Sequence, residues 1–164
     1  MPFEQKVVVI TGASRGIGAS LVERFRKIGY GVVANSRSID AAGDPAVLVV
    51  DGDIAGRDTA ERVVNIERFG RIDTLINNAG VFIPKQFIDY SETDFATMIA
   101  VNLGGFFHLS QKAATWMLRA GSGHIVNVTP PGVVRTPMHS RQMHEFLAGL
   151  QPMGRMDRRY RSVS

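Results

Sequence analysis

Short apolar runs alternate along this chain with longer segments whose apolar residues recur at helical spacing. "KVVVITG" (Lys6 to Gly12) is a β-branched run ending in a glycine turn, and in the following "GIGASLVERFRKIG" the residues Ile17, Leu21, Val22 and Phe25 share one helix face. Strand, turn and helix are therefore expected, with "YGVVANS" as a second strand and "AGDPAVLVVDGDI" as a third, entered through a proline turn. "IDTLINNAG" is a fourth strand. Before it, "RDTAERVVNIERFG" outlines a helix through Ala60, Val63, Val64, Glu67 and Phe69, with Asp58 as cap and Gly70 as stop. Ser91 and Asp94 have capping-box spacing. The helix they begin carries Phe95, Met98, Ile99 and Leu103, meets Gly104 and Gly105, and continues through Phe107, Gln111, Ala114 and Leu118 to a glycine stop, so two segments joined at the glycines are expected. "HIVNV" is the fifth strand. The three prolines of "PPGVVRTP" exclude a central strand or helix interior, and "MHSRQMHEFLAGL" is read as one last helix. Short strands alternating with single helices, joined by right-handed crossovers, predict an α/β fold with five parallel strands and helices on both faces.

At 164 residues, 45% of them apolar, the chain suits one domain over 1–164, with 153–164 a frayed basic tail. It has no cysteine, which removes disulfides, thiolate metal ligands and cysteine nucleophiles. Its apolar start runs into glycines rather than a cleavage site, and no run approaches a membrane span, so a cytoplasmic protein without a membrane partner is expected. The net charge of +4 arises late: Met1 to Val134 holds 13 basic and 13 acidic residues, Arg135 to Ser164 holds 6 and 2. "GRMDRRYRSVS" could meet RNA or an acidic surface, but no periodicity or second motif supports nucleic-acid binding, and a solvated terminus is the preferred reading.

Charge and glycine placement together point to chemistry. "TGASRGIG" sets Gly12, Gly16 and Gly18 between a strand and a helix, where a tight turn and unpaired N–H groups suit a phosphate. A carboxylate at the end of the second strand would accept hydrogen bonds from a free ribose 2′-hydroxyl. This strand instead ends "NSRS", and Arg37, with Arg15 and the hydroxyls of Ser14 and Ser36, suits a 2′-phosphate. NADP(H) is thus expected over NAD(H); the alternative is that Arg37 simply covers a sheet edge.

"TGASRGIG", "NNAG" (Asn77 to Gly80), "VNLGG" (Val101 to Gly105), "GHIVNV" and "PGVVRTPM", in this order from about Lys6 to Pro152, resemble the short-chain dehydrogenase/reductase family. The resemblance implies a Rossmann-like doubly wound sheet with strand order 3-2-1-4-5, truncated relative to the family, and hydride transfer between a nicotinamide and an alcohol or carbonyl. It also assigns positions. Gly12, Ser14, Arg15, Gly16, Ile17 and Gly18 match the cofactor turn, Asp53 and Ile54 the pair beside adenine, and Asn78, Ala79 and Gly80 the segment along the cofactor. Asn102 matches the active-site asparagine that holds a relay water through a local helix distortion, and Pro131, Gly132, Val134 and Thr136 match the segment flanking nicotinamide.

Family members also use a serine beyond the fifth strand and a tyrosine followed four residues later by a lysine. Here Pro130 stands at the serine position, Thr129 is one place early, and Tyr30, Tyr90 and Tyr160 are followed at that distance by Ala34, Asp94 and Ser164. By this comparison the chain passes from strand five to the turn after strand six, without the segment that carries the serine, tyrosine, lysine and a sixth strand. Three readings result: an oxidoreductase with impaired or absent turnover, an inactive nucleotide-binding or subunit-interacting variant, or a poorly stable shortened product. Self-association is expected, the substrate is unassigned, and the scattered His108, His124, His139 and His144 give no metal motif.

Overall fold

The structure, a computed structural model, describes residues 5–65 and 68–129. The chain divides into two units, Met1–Asn127 and Val128–Ser164, and every element below belongs to the first. In chain order these are β1 (Val7–Thr11), α1 (Gly16–Lys27), β2 (Gly31–Ser36), β3 (Val47–Asp51), α2 (Arg57–Val64), β4 (Thr74–Asn77), a 3₁₀ turn (Phe87–Asp89), α3 (Glu92–Ile99), a π-helical turn (Ala100–Gly105), α4 (Phe106–Ala120) and β5 (His124–Asn127).

The five strands form one parallel sheet in the order β3-β2-β1-β4-β5. Val7, Val8, Val9 and Ile10 of β1 are wholly buried, which explains why the central strand is a continuous apolar run rather than an alternating one. Alternate positions face opposite ways: Val7, Val9, Val33 and Leu75 join one core with Ala60 and Val63 of α2 and Leu109, Ala113 and Met117 of α4. The opposite set, Val8, Ile10 and Val32, is equally buried, on the side where α1 packs on β1 and β2. Each such side chain contributes about 1.5–3 kcal/mol relative to exposure.

Three expectations need correction. α2 begins after Gly56 and ends at Val64, so Asp58 lies within its first turn rather than at the cap. Phe69 is buried outside that helix, beside the turn that Gly70 makes at φ +67°; its apolar character reflects the core and not a helix face. In α4 the buried face is Leu109, Ala113 and Met117, while Phe107, Gln111 and Leu118 are exposed. The wider π turn rotates the helix, so the apolar phase of α3 does not carry into α4. The capping box matches its prediction: Ser91 Oγ accepts from Asp94 N–H at 3.2 Å, and Asp94 Oδ2 accepts from Ser91 N–H at 2.9 Å. Gly121, at φ +67°, ends α4 in the left-handed conformation.

Candidate functional site

Strand order reverses between β1 and β4, the point at which an open parallel sheet leaves a crevice at its carboxyl end. Thr11 and Asn77 end these strands, and hydrogen bonds join the two loops that leave them. Thr11 Oγ1 accepts from the N–H groups of Asn78 at 3.0 Å and Ala79 at 2.9 Å. Asn78 Nδ2 returns bonds to the carbonyls of Thr11 at 2.9 Å and Gly12 at 3.3 Å.

The glycines of the turn answer to different constraints. Gly12 and Gly16 take φ of +64° and +57°, left-handed backbone that disfavours a side chain. Gly18 has ordinary backbone, but a Cβ there would lie on the Gly12 carbonyl oxygen and 2.8 Å from Asn78 Nδ2. Gly16 has no neighbour within 4 Å of its Cβ direction, so the turn is open there. α1 starts without a side-chain cap and without an acidic residue in its first turn, leaving N–H groups available to an anion. Ile17 is half-buried, while Ser14 and Arg15 are exposed.

Beside this turn, Ser14 Oγ and Ser36 Oγ are hydrogen-bonded at 2.9 Å. Arg15 and Arg37 are exposed and have no ion-pair partner among the described residues. Asp51, which pairs in register with Ser36, is held by Arg62 Nη1 at 3.3 Å; it ends β3 and is not a free turn carboxylate. Asp53 Oδ1 accepts from the Ala55 N–H at 3.0 Å. Ile54 is buried in the core, its Cγ2 2.8 Å from where a Cβ on Gly105 would stand, so its side chain is structural.

Asn102 lies within the π turn, the helix distortion expected at that position. Its Oδ1 accepts from Val81 N–H at 2.8 Å and its Nδ2 donates to Val81 carbonyl at 3.0 Å, clamping the segment that runs on from Gly80. Asn77 Nδ2 donates to Ser110 Oγ at 3.1 Å and Asn127 Oδ1 at 3.0 Å, joining β4, α4 and β5. The structure thus brings together Gly12, Ser14, Arg15, Gly16, Gly18, Arg37, Asn78, Ala79, Gly80 and Asn102 around one end of the sheet. Pro131, Gly132, Val134 and Thr136, read as the nicotinamide flank, lie outside the described residues.

Two tyrosines are accounted for elsewhere. Tyr30 stands before the amino end of β2, its ring edge-on to Phe25 at 5.0 Å, and Tyr90 donates its hydroxyl to the Ile83 carbonyl. A recess of about 340 Å³, lined by Phe69, Arg71, Ile72 and Asp73 among others, opens at the amino end of β4, away from the crevice. There burial pushes the Asp73 carboxyl up, but the Arg71 guanidinium and the Val7 N–H outweigh it and hold it below the usual range. No helix among the described residues is long and apolar enough to cross a membrane. Sequence reasoning passed over Asn35, a 1% exposed asparagine that follows the buried Val32, Val33 and Ala34 of β2.

A family model described as short chain dehydrogenase matches residues 6–138. An uncharacterized oxidoreductase of Thermotoga maritima is 38% identical over 140 residues, covering 79% of this chain and 55% of its own length. A 3-oxoacyl-(acyl-carrier-protein) reductase of the same organism is 35% identical over 144 residues, covering 79% and 57%. Among solved structures, a short-chain dehydrogenase from Streptomyces avermitilis superposes with TM-score 0.72 at 26% identity, covering 79% of this chain and 50% of that one. The 3-ketoacyl-(acyl-carrier-protein) reductase of Brucella melitensis, solved with NADH, has TM-score 0.69 at 29% identity, covering 76% and 56%. The chain spans a little over half the length of the curated relatives it matches.

Proposed function

Because the chain belongs to the short-chain dehydrogenase family and has its dinucleotide-binding Rossmann fold, we propose that it binds NADP(H) in preference to NAD(H) at the β1/β4 crevice and transfers no hydride by itself. The observation that carries the cofactor preference is the end of β2. Two guanidinium groups without an ion-pair partner among the described residues, Arg15 and Arg37, flank the Ser14–Ser36 hydroxyl pair, and Asp51 is already engaged by Arg62. A 2′-phosphate finds charge-assisted donors there, whereas a free 2′-hydroxyl finds no free carboxylate. The α1 terminus and the open Gly16 turn would hold the pyrophosphate, and Asn78, Ala79 and Gly80 would run beside the cofactor. When bound, the nicotinamide supplies or accepts the hydride.

A phosphate contact made by a charged donor is worth about 1.5–3 kcal/mol, and exposure of Arg37 places it at the lower end. NADPH is therefore expected to bind roughly tenfold more tightly than NADH at matched ionic strength, and Arg37→Ala to abolish that difference while leaving NADH unchanged. Equal affinities for the two cofactors in the parent chain would remove the argument.

Carbonyl reduction also needs a proton at the developing alkoxide. Tyr30 lies at the far end of the sheet, Tyr90 directs its hydroxyl to Ile83, and neither has a lysine four residues on. Asn102 has no group of suitable pKa and is committed to Val81. These observations favour binding without turnover on an alcohol or carbonyl. A second reading, self-association, rests on a separate feature: Phe95, Ile99, Leu103 and Phe107, spaced by four along α3, the π turn and α4, are 57%, 43%, 54% and 53% exposed. Light scattering is expected to find a species larger than the monomer, and a stable monomer at high concentration would contradict it.

A further inference from the structure

Asn35 is 1% exposed on a strand whose other core residues are glycine, valine and alanine. An amide in that position is unfavourable unless its hydrogen-bonding groups are met. Its register partners are Thr11 on β1 and Val50 on β3, yet its side chain reaches past the end of β3. Nδ2 donates to the carbonyls of Val50 at 3.0 Å and Gly52 at 3.2 Å. The backbone carbonyl of the same residue accepts from Ala13 N–H in the phosphate turn at 2.9 Å. One residue therefore joins the phosphate turn to the corner between β3 and α2.

That corner is tightly built. Gly52 has φ +133°, and a Cβ on it would meet Arg62 Nη2 and Thr59 Oγ1, each at 2.7 Å. Because the peptide is planar and trans, holding the Gly52 carbonyl toward Asn35 turns the Asp53 N–H to the opposite side. If pyrophosphate lies at α1 and the ribose phosphate at the end of β2, the base must extend outward toward β3, the next strand in the sheet.

We infer that Asn35 is a positioning residue for the adenosine half of the dinucleotide, presetting the Gly52–Asp53 corner against which the base lies; this rests on the dinucleotide reading above. ADP and inorganic pyrophosphate separate the two halves of the site, since they share phosphates and differ by the adenosine. In the parent chain ADP is expected to bind more tightly than pyrophosphate. Asn35→Val removes both donors and leaves the backbone bond to Ala13, so it is expected to weaken ADP about tenfold and leave pyrophosphate unchanged. A residue that matters only for stability would move both ligands by the same factor or neither. Asn35→Ala is the second variant, in case valine overfills the site, and it should give the same change in the ratio of the two affinities. An unchanged ratio in both variants overturns the inference. A parent chain that binds pyrophosphate and ADP equally overturns it while leaving the phosphate turn intact, whereas a parent chain that binds neither overturns the dinucleotide reading with it. Amide resonances give a check without substitution: the Asp53 N–H should shift on addition of ADP and not of pyrophosphate, and identical responses would contradict the proposal.

Discussion

Gly18→Ala sets two opposed effects against each other at one position. Gly18 is the third residue of α1, where alanine is favoured over glycine by about 0.5–1 kcal/mol. Propensity alone therefore predicts a more stable protein. Against it, the added Cβ would land on the Gly12 carbonyl oxygen, 2.8 Å from both the Gly12 carbonyl carbon and Asn78 Nδ2. Neither neighbour yields easily. Gly12 has its own Cβ direction filled by Ala79 Cα and Asn78 Nδ2 at 3.0 Å, and Asn78 is tied to the carbonyls of Thr11 and Gly12. Overpacking of this kind costs about 1–3 kcal/mol, and here the obstacle is backbone, so the upper part of that range applies. The net expectation is a loss of about 1–2 kcal/mol, which for a chain of this size lowers the thermal midpoint by about 2–8 °C. Urea unfolding of the parent and Gly18→Ala proteins measures it, with NADPH affinity measured in parallel because the displaced turn is the one proposed to hold the pyrophosphate. Gly16 supplies the contrast: its constraint is conformation and not space, so Gly16→Asn should be better tolerated than Gly16→Ala, a preference not expected at Gly18. A higher urea midpoint for Gly18→Ala would refute the steric argument.

Asp73 accepts from the N–H of Val7, the buried first residue of β1, at 2.7 Å, so Asp73→Ala should leave that donor unmet and lower stability by about 1–3 kcal/mol in urea unfolding. Loss of the α3 cap in Ser91→Ala should cost about 0.5–2 kcal/mol in the same assay. The Lys85 ammonium at 2.5 Å, with the Ser91 N–H and hydroxyl, holds the Asp94 carboxyl down from 3.8 to about 2. Its folded pKa is depressed, so its contribution is present above the unfolded value of 3.8 and is lost as pH falls toward about 2; an acid titration of Asp94→Asn should lack the part of the destabilisation that the parent shows in that window.

Much of the fold was legible because few signals in it conflict. The β-branched runs of β1 and β2 became buried central strands, and the sheet order agreed with the expected 3-2-1-4-5 arrangement. What periodicity missed were features that break period. The π turn at Ala100–Gly105 adds residues to a turn without changing composition, so periodicity carried from α3 puts the buried face of α4 in the wrong phase. The end of α2 is hard to place because Phe69 is apolar for reasons of tertiary packing, and one sequence position does not distinguish that from a helix face. At the site, glycine spacing marked the turn between β1 and α1, but it does not separate Gly16, held to glycine by its φ of +57°, from Gly18, whose missing Cβ leaves room for the Gly12 carbonyl and Asn78, a contact that only the folded chain creates. Asn35 escapes a reading of the sequence because its partners, Val50 and Gly52, are on another strand and its corner.

The central claim is that this chain binds a phosphorylated nicotinamide dinucleotide yet lacks the acid/base needed to use it. Nicotinamide fluorescence of NADPH, recorded with the purified chain before and after adding a panel of aldehydes, ketones and quinones, tests both halves in one cuvette. The account predicts a saturable change in emission on binding, followed by cofactor oxidation no faster than in buffer, since a general acid/base step alone is commonly worth about 10² to 10⁴ in rate. Oxidation well above buffer, by material whose mass matches the 164-residue chain, would contradict it, as would the absence of any saturable binding.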